Sequence, residues 1–426
     1  MKKNVIKIVS SKSQTMRALL FAFLGVGMSE IYGILNSYDT ETMIAGLNQI
    51  GVKILKYADH VQVKGVCDED LSICGLKIDA GNSGQVLRFL GATLALFNGK
   101  YLLTGDYSIQ NNRPVSPMIN ALRELGAKAS YLGKSGYAPV EIEGPIKAGE
   151  FRMDGKDSQP VSAMLIACSF LAGTSIIYVD NPGEKPWIEL TLSWINKLGG
   201  SVINENYQKY IVKGGLKHQG FKYRVPGDFS SAAFPLVSAI ITNCHCILEN
   251  LDFEDVQGDK RLIDILVLMG ADLEKDIVNN RLMINPCGKL KGGIFDVNDI
   301  IDAVPILAVV GCFCKKPLEL KNCQIARFKE SNRLEAITKE LRKMGADIDC
   351  FKDRLVIKPS ELVSAQVSSH NDHRIAMSLC VASLKAKGDN FGLDNIECIN
   401  KSYPSFFDDL KKFKKARPYE PDFNRL

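Results

Sequence analysis

The chain has 426 residues, of which 46% are hydrophobic and 24% are charged, and its formal net charge is +5. This composition is typical of a globular protein, and the length favours two domains over one core. The charge is spread along the chain, apart from lysines near Lys411–Arg417, and no basic patch rich in aromatics indicates nucleic-acid binding. The longest apolar runs are about half of the ~20 residues needed to cross a bilayer, so we expect no membrane association.

The N-terminus and the cysteines indicate a cytoplasmic protein. The first residues, MKKNVIKIVSSKS, lack the apolar core of a signal peptide. The twelve cysteines are irregularly spaced, and the pairs in CHC and CFC have no second ligand pair at zinc spacing. We therefore expect reduced cysteines in the core and no metal site.

The first predicted helix has an unusual start. In SKSQTMRALLFAFLG the apolar residues lie at helical spacing, so we expect a helix to begin near Ser13. Helix N-termini favour Asp or Glu, but this one carries Lys12 and Arg17. The pattern indicates that the helix start meets an anion.

A unit of helix, glycine turn and hairpin then recurs along the chain. It is visible in LNQIGVKI, LRELGAKA, INKLGGSV, LVLMGADL and LRKMGADI, and each copy is followed by a second strand, HVQVKG, APVEIEG, YIVKGG, RLMINP or RLVIKPS. A glycine after the last apolar residue is a typical helix stop. The turn glycines are 71 to 75 residues apart: Gly51, Gly126, Gly199, Gly270 and Gly345.

Two interleaved sets of helices share this period. The first set, with a sixth member at YDTETMIAGL, is predicted to open at residues 72 apart: Arg113, Lys185, Gln257, Lys329 and Lys401. The second set is predicted to start at capping-type residues: Ser13, Ser83, Ser158, Ser230, Asp302 and Asp372. The chain is therefore predicted to contain six copies of a unit with two helices and roughly four strands. Three copies in each of two domains would give domains of ordinary size.

Cations recur at or near equivalent helix starts. One such charge is usually solvated, but symmetry-related helix starts can converge and form an anion site. The pattern predicts a site for strongly anionic small ligands between the domains. Asp302 and Glu330 lie among these cations and are either capping carboxylates or a general acid and base. The cations are Lys12, Arg17, Arg113, Lys185, Lys329, Arg333, Arg374 and Lys401.

Eight motifs together resemble the 5-enolpyruvylshikimate-3-phosphate (EPSP) synthase family. They are SKSQTMRALL, NSGQVLR, NNRPVSPM, SQPVSA, DFSSAAF, FKESNRL, NDHRIAM and NKSYPSFF, and they cover residues 5 to 410 or so. The resemblance implies an α/β (α+β) fold of two similar domains. Each domain would contain three βαβαββ repeat units in an inside-out α/β barrel-like arrangement, with the active site in the interdomain cleft. It also implies that the first strand joins the C-terminal domain, so the predicted domains are 11–226 and 1–10 with 227–426.

The resemblance also implies a reaction. The family transfers the enolpyruvyl (carboxyvinyl) group of phosphoenolpyruvate to the 5-hydroxyl of shikimate 3-phosphate. Phosphate is released by addition and elimination through a tetrahedral intermediate, on the shikimate pathway to chorismate and aromatic amino acids. By this resemblance we expect a cytoplasmic monomer that acts on small anionic substrates without a metal or an organic cofactor.

Site residues follow from matching motif positions. The resemblance implies that Glu330 is the proton donor, that Asp302 accepts the proton of the 5-hydroxyl, and that Lys12 assists the departure of phosphate. The implied shikimate 3-phosphate ligands are Lys12, Ser13, Arg17, Ser158, Gln159, Asp302 and Lys329. The implied phosphoenolpyruvate ligands are Lys12, Gly84, Arg113, Gln159, Arg333, Arg374 and Lys401.

The chain departs from the family pattern mostly on the side of the acceptor. Asp157 replaces a serine beside a phosphate, and Glu184 and Trp187 stand where a serine and a tyrosine are common. Because the phosphoenolpyruvate positions are intact, these differences bear on acceptor affinity rather than on the reaction class. Further departures are Ile325, Asn332, and, near the glyphosate pocket of the family, Gln85 and Phe89.

Three other functions fit the sequence less well. UDP-N-acetylglucosamine enolpyruvyl transferases have Lys-Asn where this chain has Lys12-Ser13, and they carry a reactive cysteine in a loop that reads GDYSIQNNRP here. A non-catalytic anion-binding homologue would be expected to lose the acids, yet Asp302 and Glu330 are present. RNA-end binding would require a continuous basic groove and a catalytic histidine, whereas His373 alone is more often structural.

Overall fold

The computed structural model describes residues 4–66, 71 and 73–413, so the end of the Lys411–Arg417 run lies outside the described residues. The chain forms two compact units. One, termed the C-terminal unit, consists of Met1–Ser11 and Pro226–Leu426, and the other, termed the N-terminal unit, is Lys12–Val225. The chain passes from one unit to the other at Ser11–Lys12 and at Val225–Pro226.

The strands are short because each repeat holds four of them within about seventy residues. In chain order they are β1 Asn4–Lys7, β2 Met28–Tyr32, β3 Ile54–Lys56, β4 His60–Lys64, β5 Leu76–Asp79, β6 Gly99–Thr104, β7 Lys128–Tyr131, β8 Val140–Gly144, β9 Glu150–Asp154, β10 Thr174–Asp180, β11 Ser201–Glu205, β12 Lys209–Lys213, β13 Lys222–Arg224, β14 Cys246–Glu249, β15 Asp272–Asp276, β16 Arg281–Asn285, β17 Gly293–Asp296, β18 Leu318–Lys321, β19 Asp347–Cys350, β20 Leu355–Lys358, β21 Gln366–Val367 and β22 Gly392–Leu393.

The α-helices are α1 Lys12–Leu24, α2 Tyr38–Gln49, α3 Gly91–Leu94, α4 Tyr107–Asn111, α5 Ser116–Glu124, α6 Ser158–Phe170, α7 Lys185–Lys197, α8 Phe229–Thr242, α9 Arg261–Leu268, α10 Val304–Cys312, α11 Arg333–Lys343, α12 His373–Ser383 and α13 Phe406–Lys411. A π-helical segment, Val86–Leu90, leads into α3. Short 3₁₀ turns lie at Gly258–Lys260, Asn298–Ala303, Gln324–Phe328 and Ile396–Lys401.

The sheets show how the repeat is built. The N-terminal unit has three four-stranded sheets, with strand orders β13-β2-β4-β3, β5-β6-β8-β7 and β11-β12-β10-β9. The C-terminal unit has sheets β1-β14-β16-β15 and β17-β18-β20-β19, and the two-stranded sheet β21-β22. In β5-β6-β8-β7 a parallel pair is followed by two antiparallel pairs, which is the βαβαββ pattern. The predicted four strands are confirmed for five units, and the sixth has two within the described residues.

One sheet in each unit takes its first strand from a distant part of the chain. Strand β1 pairs in parallel with β14, with Asn4 opposite Cys246, and β13 pairs in parallel with β2, with Lys222 opposite Glu30. A parallel partner cannot come from a tight hairpin, so it has to be supplied by a remote segment. Strand β1 is therefore separated from the rest of the C-terminal unit by the whole N-terminal unit, whereas β13 comes from the end of the N-terminal unit itself.

The predicted hairpins and glycine turns are confirmed. Strands β3–β4, β7–β8, β11–β12, β15–β16 and β19–β20 pair antiparallel. The five turn glycines have φ between +88° and +103°, the left-handed region in which a side chain would be strained. Each of these glycines marks the point where a helix of the first set ends and the hairpin after it begins.

The predicted starts of the first helix set are correct at Lys185 and at the sixth member, where α2 begins at Tyr38. Helices α5, α9, α11 and α13 begin three to five residues after Arg113, Gln257, Lys329 and Lys401. Lys401 closes a 3₁₀ turn and Lys329 follows one, so both side chains project from the connections that precede a helix. The 72-residue spacing thus marks equivalent connections rather than helix ends.

The predicted caps are correct at two positions. Ser83 accepts a bond from the Val86 N–H, and Asp372 caps α12. Elsewhere the expectation is wrong: Asp157 and Asp228 cap α6 and α8, immediately or two residues before the predicted Ser158 and Ser230. Ser13 lies inside α1, and Asp302 lies in the 3₁₀ turn before α10. An aspartate one position outside the helix competes effectively with serine for the first free N–H groups.

Each unit has its own hydrophobic core, which the second helix set occupies. Helix α1 is buried from Gln14 to Leu24 and α6 over almost its whole length, so neither is amphipathic. The strands alternate buried and more exposed residues, which leaves one face of each sheet towards solvent. Among the described residues, no helix combines the length and apolar character that crossing a membrane requires. Because the second-set helices are buried along their length, the charged side chains associated with them lie near their N-termini.

Candidate active site

In the N-terminal unit, a buried arginine organises the start of α6. Arg88, whose side chain is 1% exposed, pairs with the Asp157 carboxylate at 3.0 Å and donates to Gln159 Oε1 at 2.9 Å. It also donates to the carbonyl of Pro114 at 3.0 Å. The other Asp157 oxygen accepts from the Gln159 N–H at 3.0 Å. Arg88 thus orients the side chain of Gln159, one of the predicted ligands.

Gly84 lies directly beneath these groups. A Cβ atom at this position would be 2.3 Å from Arg113 Nη1, 2.8 Å from Arg88 Nη1 and 2.9 Å from Gln159 Oε1. Only glycine allows the guanidinium groups to approach the backbone this closely. The structure therefore brings together three predicted phosphoenolpyruvate ligands, Gly84, Arg113 and Gln159.

The N-terminus of α6 also holds a carboxylate. Glu184 Oε2 accepts from the Ser158 N–H at 3.1 Å and from the Ser158 hydroxyl at 3.2 Å. Both side chains are 2% exposed. The donors of Ser158, a predicted phosphate ligand, are therefore bound to an acid of the same unit.

The start of α1 contributes the remaining predicted acceptor ligands of this unit. Lys12 pairs with the buried Asp39 at 3.2 Å, and the Ser13 hydroxyl accepts from Gln85 at 3.4 Å. Arg17 is 1% exposed, donates to the Thr191 hydroxyl and the Trp187 carbonyl, and lies 5.0 Å from the centre of the Phe89 ring. Lys185 stacks on Tyr207 at 5.2 Å.

In the C-terminal unit, Arg333 joins three carboxylates. It contacts Asp302 at 2.6 Å, Glu330 at 2.7 Å and Asp372 at 2.8 Å. Arg333 opens α11 and is 1% exposed. Burial disfavours its charge, but Asp372 and the other two acids outweigh burial and raise its pKa further above the usual value. Both predicted acid–base residues are thus held by one guanidinium group.

A second cation lies on the far side of each predicted acid. Arg374, near the start of α12, contacts Asp302 at 3.1 Å, and Lys401 contacts Glu330 at 2.9 Å. Asp302 is 24% exposed. Burial opposes its ionisation, but Arg374, Arg333 and Lys329 hold its pKa well below the usual range. Asp302 is therefore a carboxylate at neutral pH.

A further acid, Asp259, lies behind this cluster. It is 2% exposed and accepts a short hydrogen bond from the Ser230 hydroxyl. Burial and the nearby negative charge of Asp302 raise its pKa to about 7, against the opposing effect of Arg374. The carbonyl of Ser230 accepts a hydrogen bond from Arg374 at 3.0 Å. Asp259 binds the side chain of the same serine, and it is thereby linked through Ser230 to the arginine that contacts Asp302.

Four residues of these clusters were not predicted as site residues. Arg88 interrupts the apolar run VLRFLGATLALF, and a cation in such a run is a usable signal, since buried arginines require partners. Asp372 was predicted only as a cap. Asp39 and Asp259 carry no signal in the sequence that separates them from other acids. His373 is 1% exposed at the start of α12, as expected of a structural histidine.

Comparison with known proteins identifies the family. The sequence model of EPSP synthase (3-phosphoshikimate 1-carboxyvinyltransferase) matches residues 2–410. The chain is 40% identical to the 3-phosphoshikimate 1-carboxyvinyltransferase of Chlamydia caviae, over 94% of this chain and 89% of that protein. It is 38% identical to that of Acetivibrio thermocellus, over 96% and 95%. An EPSP synthase structure from Acinetobacter baumannii has a TM-score of 0.80 at 27% identity, covering 97% of this chain and 96% of the other. The chain belongs to the EPSP synthase family.

Proposed function

We propose that, in this member of the EPSP synthase family, the polar clusters of the two units serve a single reaction. The enzyme transfers the enolpyruvyl group of phosphoenolpyruvate to the 5-hydroxyl of shikimate 3-phosphate and releases phosphate. The observation that supports the residue assignment best is Arg333. It holds Asp302 and Glu330 at 2.6 and 2.7 Å, so a base and an acid are positioned by one rigid group.

The proposed addition step uses these two acids. Glu330 donates a proton to the methylene carbon of phosphoenolpyruvate, and the 5-hydroxyl oxygen attacks the adjacent carbon while Asp302 takes its proton. Arg333 and Lys401, in contact with Glu330, stabilise the carboxylate that remains after its proton has left. The product is a tetrahedral intermediate that carries a methyl group, the phosphate and the acceptor.

In the proposed elimination step, the Glu330 carboxylate takes a proton back from the methyl group and the C–O bond to phosphate breaks, which restores the double bond. Lys12 assists the departing phosphate. Its contact with Asp39 keeps the ammonium group in place at the start of α1. Each step is a proton transfer or a change in a C–O bond, so we propose that the enzyme needs no metal or organic cofactor.

The binding residues are divided between the units. We propose that Lys12, Ser13, Arg17, Ser158 and Gln159, with Asp302 and Lys329, bind shikimate 3-phosphate. We propose that Gly84, Arg113, Gln159, Lys12, Arg333, Arg374 and Lys401 bind phosphoenolpyruvate. The close approach of Arg113 to Gly84 supports the second set, since it brings the Arg113 and Arg88 guanidinium groups together over the backbone.

We also propose that the protein is a cytoplasmic monomer. Burial raises the pKa of the Cys168, Cys312 and Cys323 thiols to about 12, so these thiols do not ionise readily and are poor partners for disulfide exchange. Light scattering of the purified protein would test the monomer, for which a mass near 47.0 kDa is expected.

The test of the function is phosphate release by the purified enzyme. Release should require both substrates, and Glu330→Gln and Asp302→Asn should each lower kcat by about 10²–10⁴-fold, the usual contribution of a positioned acid or base. Glu335→Gln, five residues after Glu330 in helix α11 and 67% exposed, is the matched control and should retain activity. Release without shikimate 3-phosphate, or full activity of Glu330→Gln, would refute the assignment.

A further inference from the structure

The α6 N-terminus, where we place the phosphate of the acceptor, is already bound to negative charge. The N–H and hydroxyl of Ser158 both donate to Glu184, and the Gln159 N–H donates to Asp157. Helix N-termini attract anions because their first N–H groups have no partner within the helix. Here two carboxylates of the protein itself occupy those donors.

The position of Glu184 is imposed by the backbone. Glu184 has φ 47° and ψ 42°, in the left-handed region that residues other than glycine rarely adopt. The preceding Gly183 donates from its N–H to the Gly155 carbonyl at 3.0 Å, and a Cβ on Gly183 would lie 2.8 Å from the Lys156 carbonyl oxygen. The segment before α7 is thus fastened to the segment before α6, which directs the Glu184 carboxylate onto Ser158. Strained backbone of this kind is concentrated at functional positions.

Glutamate at position 184 reverses the hydrogen-bonding role that a serine would have there. A serine hydroxyl, as in the family pattern at this point, can donate to a phosphate. An ionised glutamate only accepts and adds a negative charge. Phosphate oxygens and the Glu184 carboxylate would need the same N–H and hydroxyl of Ser158, and like charges in contact disfavour binding.

We propose that Glu184 is an internal competitor for the phosphate of the acceptor: its carboxylate binds the Ser158 donors in the free enzyme and leaves them when shikimate 3-phosphate binds. The inference rests on the proposed function, because it takes Ser158 as a phosphate ligand. Glu184 is accordingly a specificity-determining residue. It lowers the affinity for a phosphorylated acceptor and leaves the phosphoenolpyruvate ligands unaffected.

The test compares Glu184→Gln and Glu184→Ser with the wild-type enzyme. Both variants should lower the KM and the calorimetric Kd for shikimate 3-phosphate by at least about tenfold, since a like charge has been removed from the phosphate position. The KM for phosphoenolpyruvate and the Kd for unphosphorylated shikimate should change less than about twofold. Glu189→Gln is the matched control, because it removes a half-buried carboxylate from helix α7, which begins directly after Glu184. A general loss of structure would raise all of these constants together.

Unchanged or raised Kd values for shikimate 3-phosphate in both variants would overturn the proposal. If the variants do not fold, a structure of the wild-type enzyme with shikimate 3-phosphate decides the matter. In that structure the distance from Ser158 N to Glu184 Oε2 should exceed its present 3.1 Å. If the distance stays at this value with the phosphate bound, the proposal is wrong. Calorimetry requires no turnover, so absence of phosphate release by the wild-type enzyme would reject the proposed function, while the Kd values for shikimate 3-phosphate would still decide the role of Glu184.

Discussion

The arginines of the two units are neutralised in different ways. In the N-terminal unit, Arg17 donates to a hydroxyl and to carbonyl oxygens, and Arg88 to a carbonyl, an amide and one carboxylate. In the C-terminal unit, Arg333 contacts three carboxylates. A neutral acceptor cancels less of the positive charge of a guanidinium group than a carboxylate does. The second cluster therefore adds acid–base groups, Asp302 and Glu330, to cations that also bind substrate in our proposal.

The largest effect should follow from breaking the carboxylate cluster. Arg333→Leu leaves Asp302, Glu330 and Asp372 without their shared partner, and removing one member of a buried ion pair costs about 3–5 kcal/mol. We expect that loss in the free energy of unfolding, measured by urea denaturation, together with loss of phosphate release.

Arg261→Leu is the control for this change. Arg261 pairs with Asp299 at 2.9 Å, but its side chain is 46% exposed, and such surface pairs contribute less than about 1 kcal/mol. Equal destabilisation by the two substitutions would show that Arg333 is not the centre of the cluster.

A smaller, pH-dependent effect should come from Asp259. Its pKa is about 7 in the folded protein and 3.8 ordinarily, so between these pH values the folded state binds more protons than the unfolded state. The contribution of Asp259 to stability is therefore lost as pH rises from about 4 to about 7, by at most ~1.4 kcal/mol per pH unit. Asp259→Asn should gain stability relative to the wild type across this window, and the difference should be constant above about pH 8.

Denaturation at several pH values measures this difference. Asp264→Asn, a change at a carboxylate that is 59% exposed, should show no such trend. A flat difference for Asp259→Asn as well would mean that Asp259 is ionised throughout. The C-terminal cluster would then carry one more negative charge at neutral pH than we infer.

The smallest effect should be seen at Gly84, in the binding cluster. Gly84→Ala places a methyl group 2.3 Å from Arg113 Nη1, which has to move. We expect the KM for phosphoenolpyruvate to rise about tenfold or more, equivalent to ~1.4 kcal/mol, with little change in the Kd for shikimate 3-phosphate. In Gly133→Ala the new methyl would meet only Pro139 Cδ, at 3.3 Å, so this variant serves as the control. A weaker affinity for shikimate 3-phosphate alone would argue against placing Gly84 among the phosphoenolpyruvate ligands.

Much of the site could be located from the sequence, but its contacts could not. Motif positions identified Gly84, Arg113 and Gln159, which the structure brings together. The same motifs give no indication that Arg88 orients Gln159 or that Glu184 binds Ser158, since these pairs are 71 and 26 residues apart in the chain. Helix starts were misplaced for a related reason. The periodicity of apolar residues does not distinguish the first turn of a helix from a 3₁₀ turn before it.

The sequence by itself determined the sixfold repeat, the hairpins, the glycine turns and the family, because these depend on local patterns and on residues in a characteristic order. Only the tertiary structure decided which charges neutralise one another. Asp372 reaches Arg333 across 39 residues, and Lys401 reaches Glu330 across 71. The energy of an ion pair depends on distance and burial, which are set by packing and not by spacing along the chain.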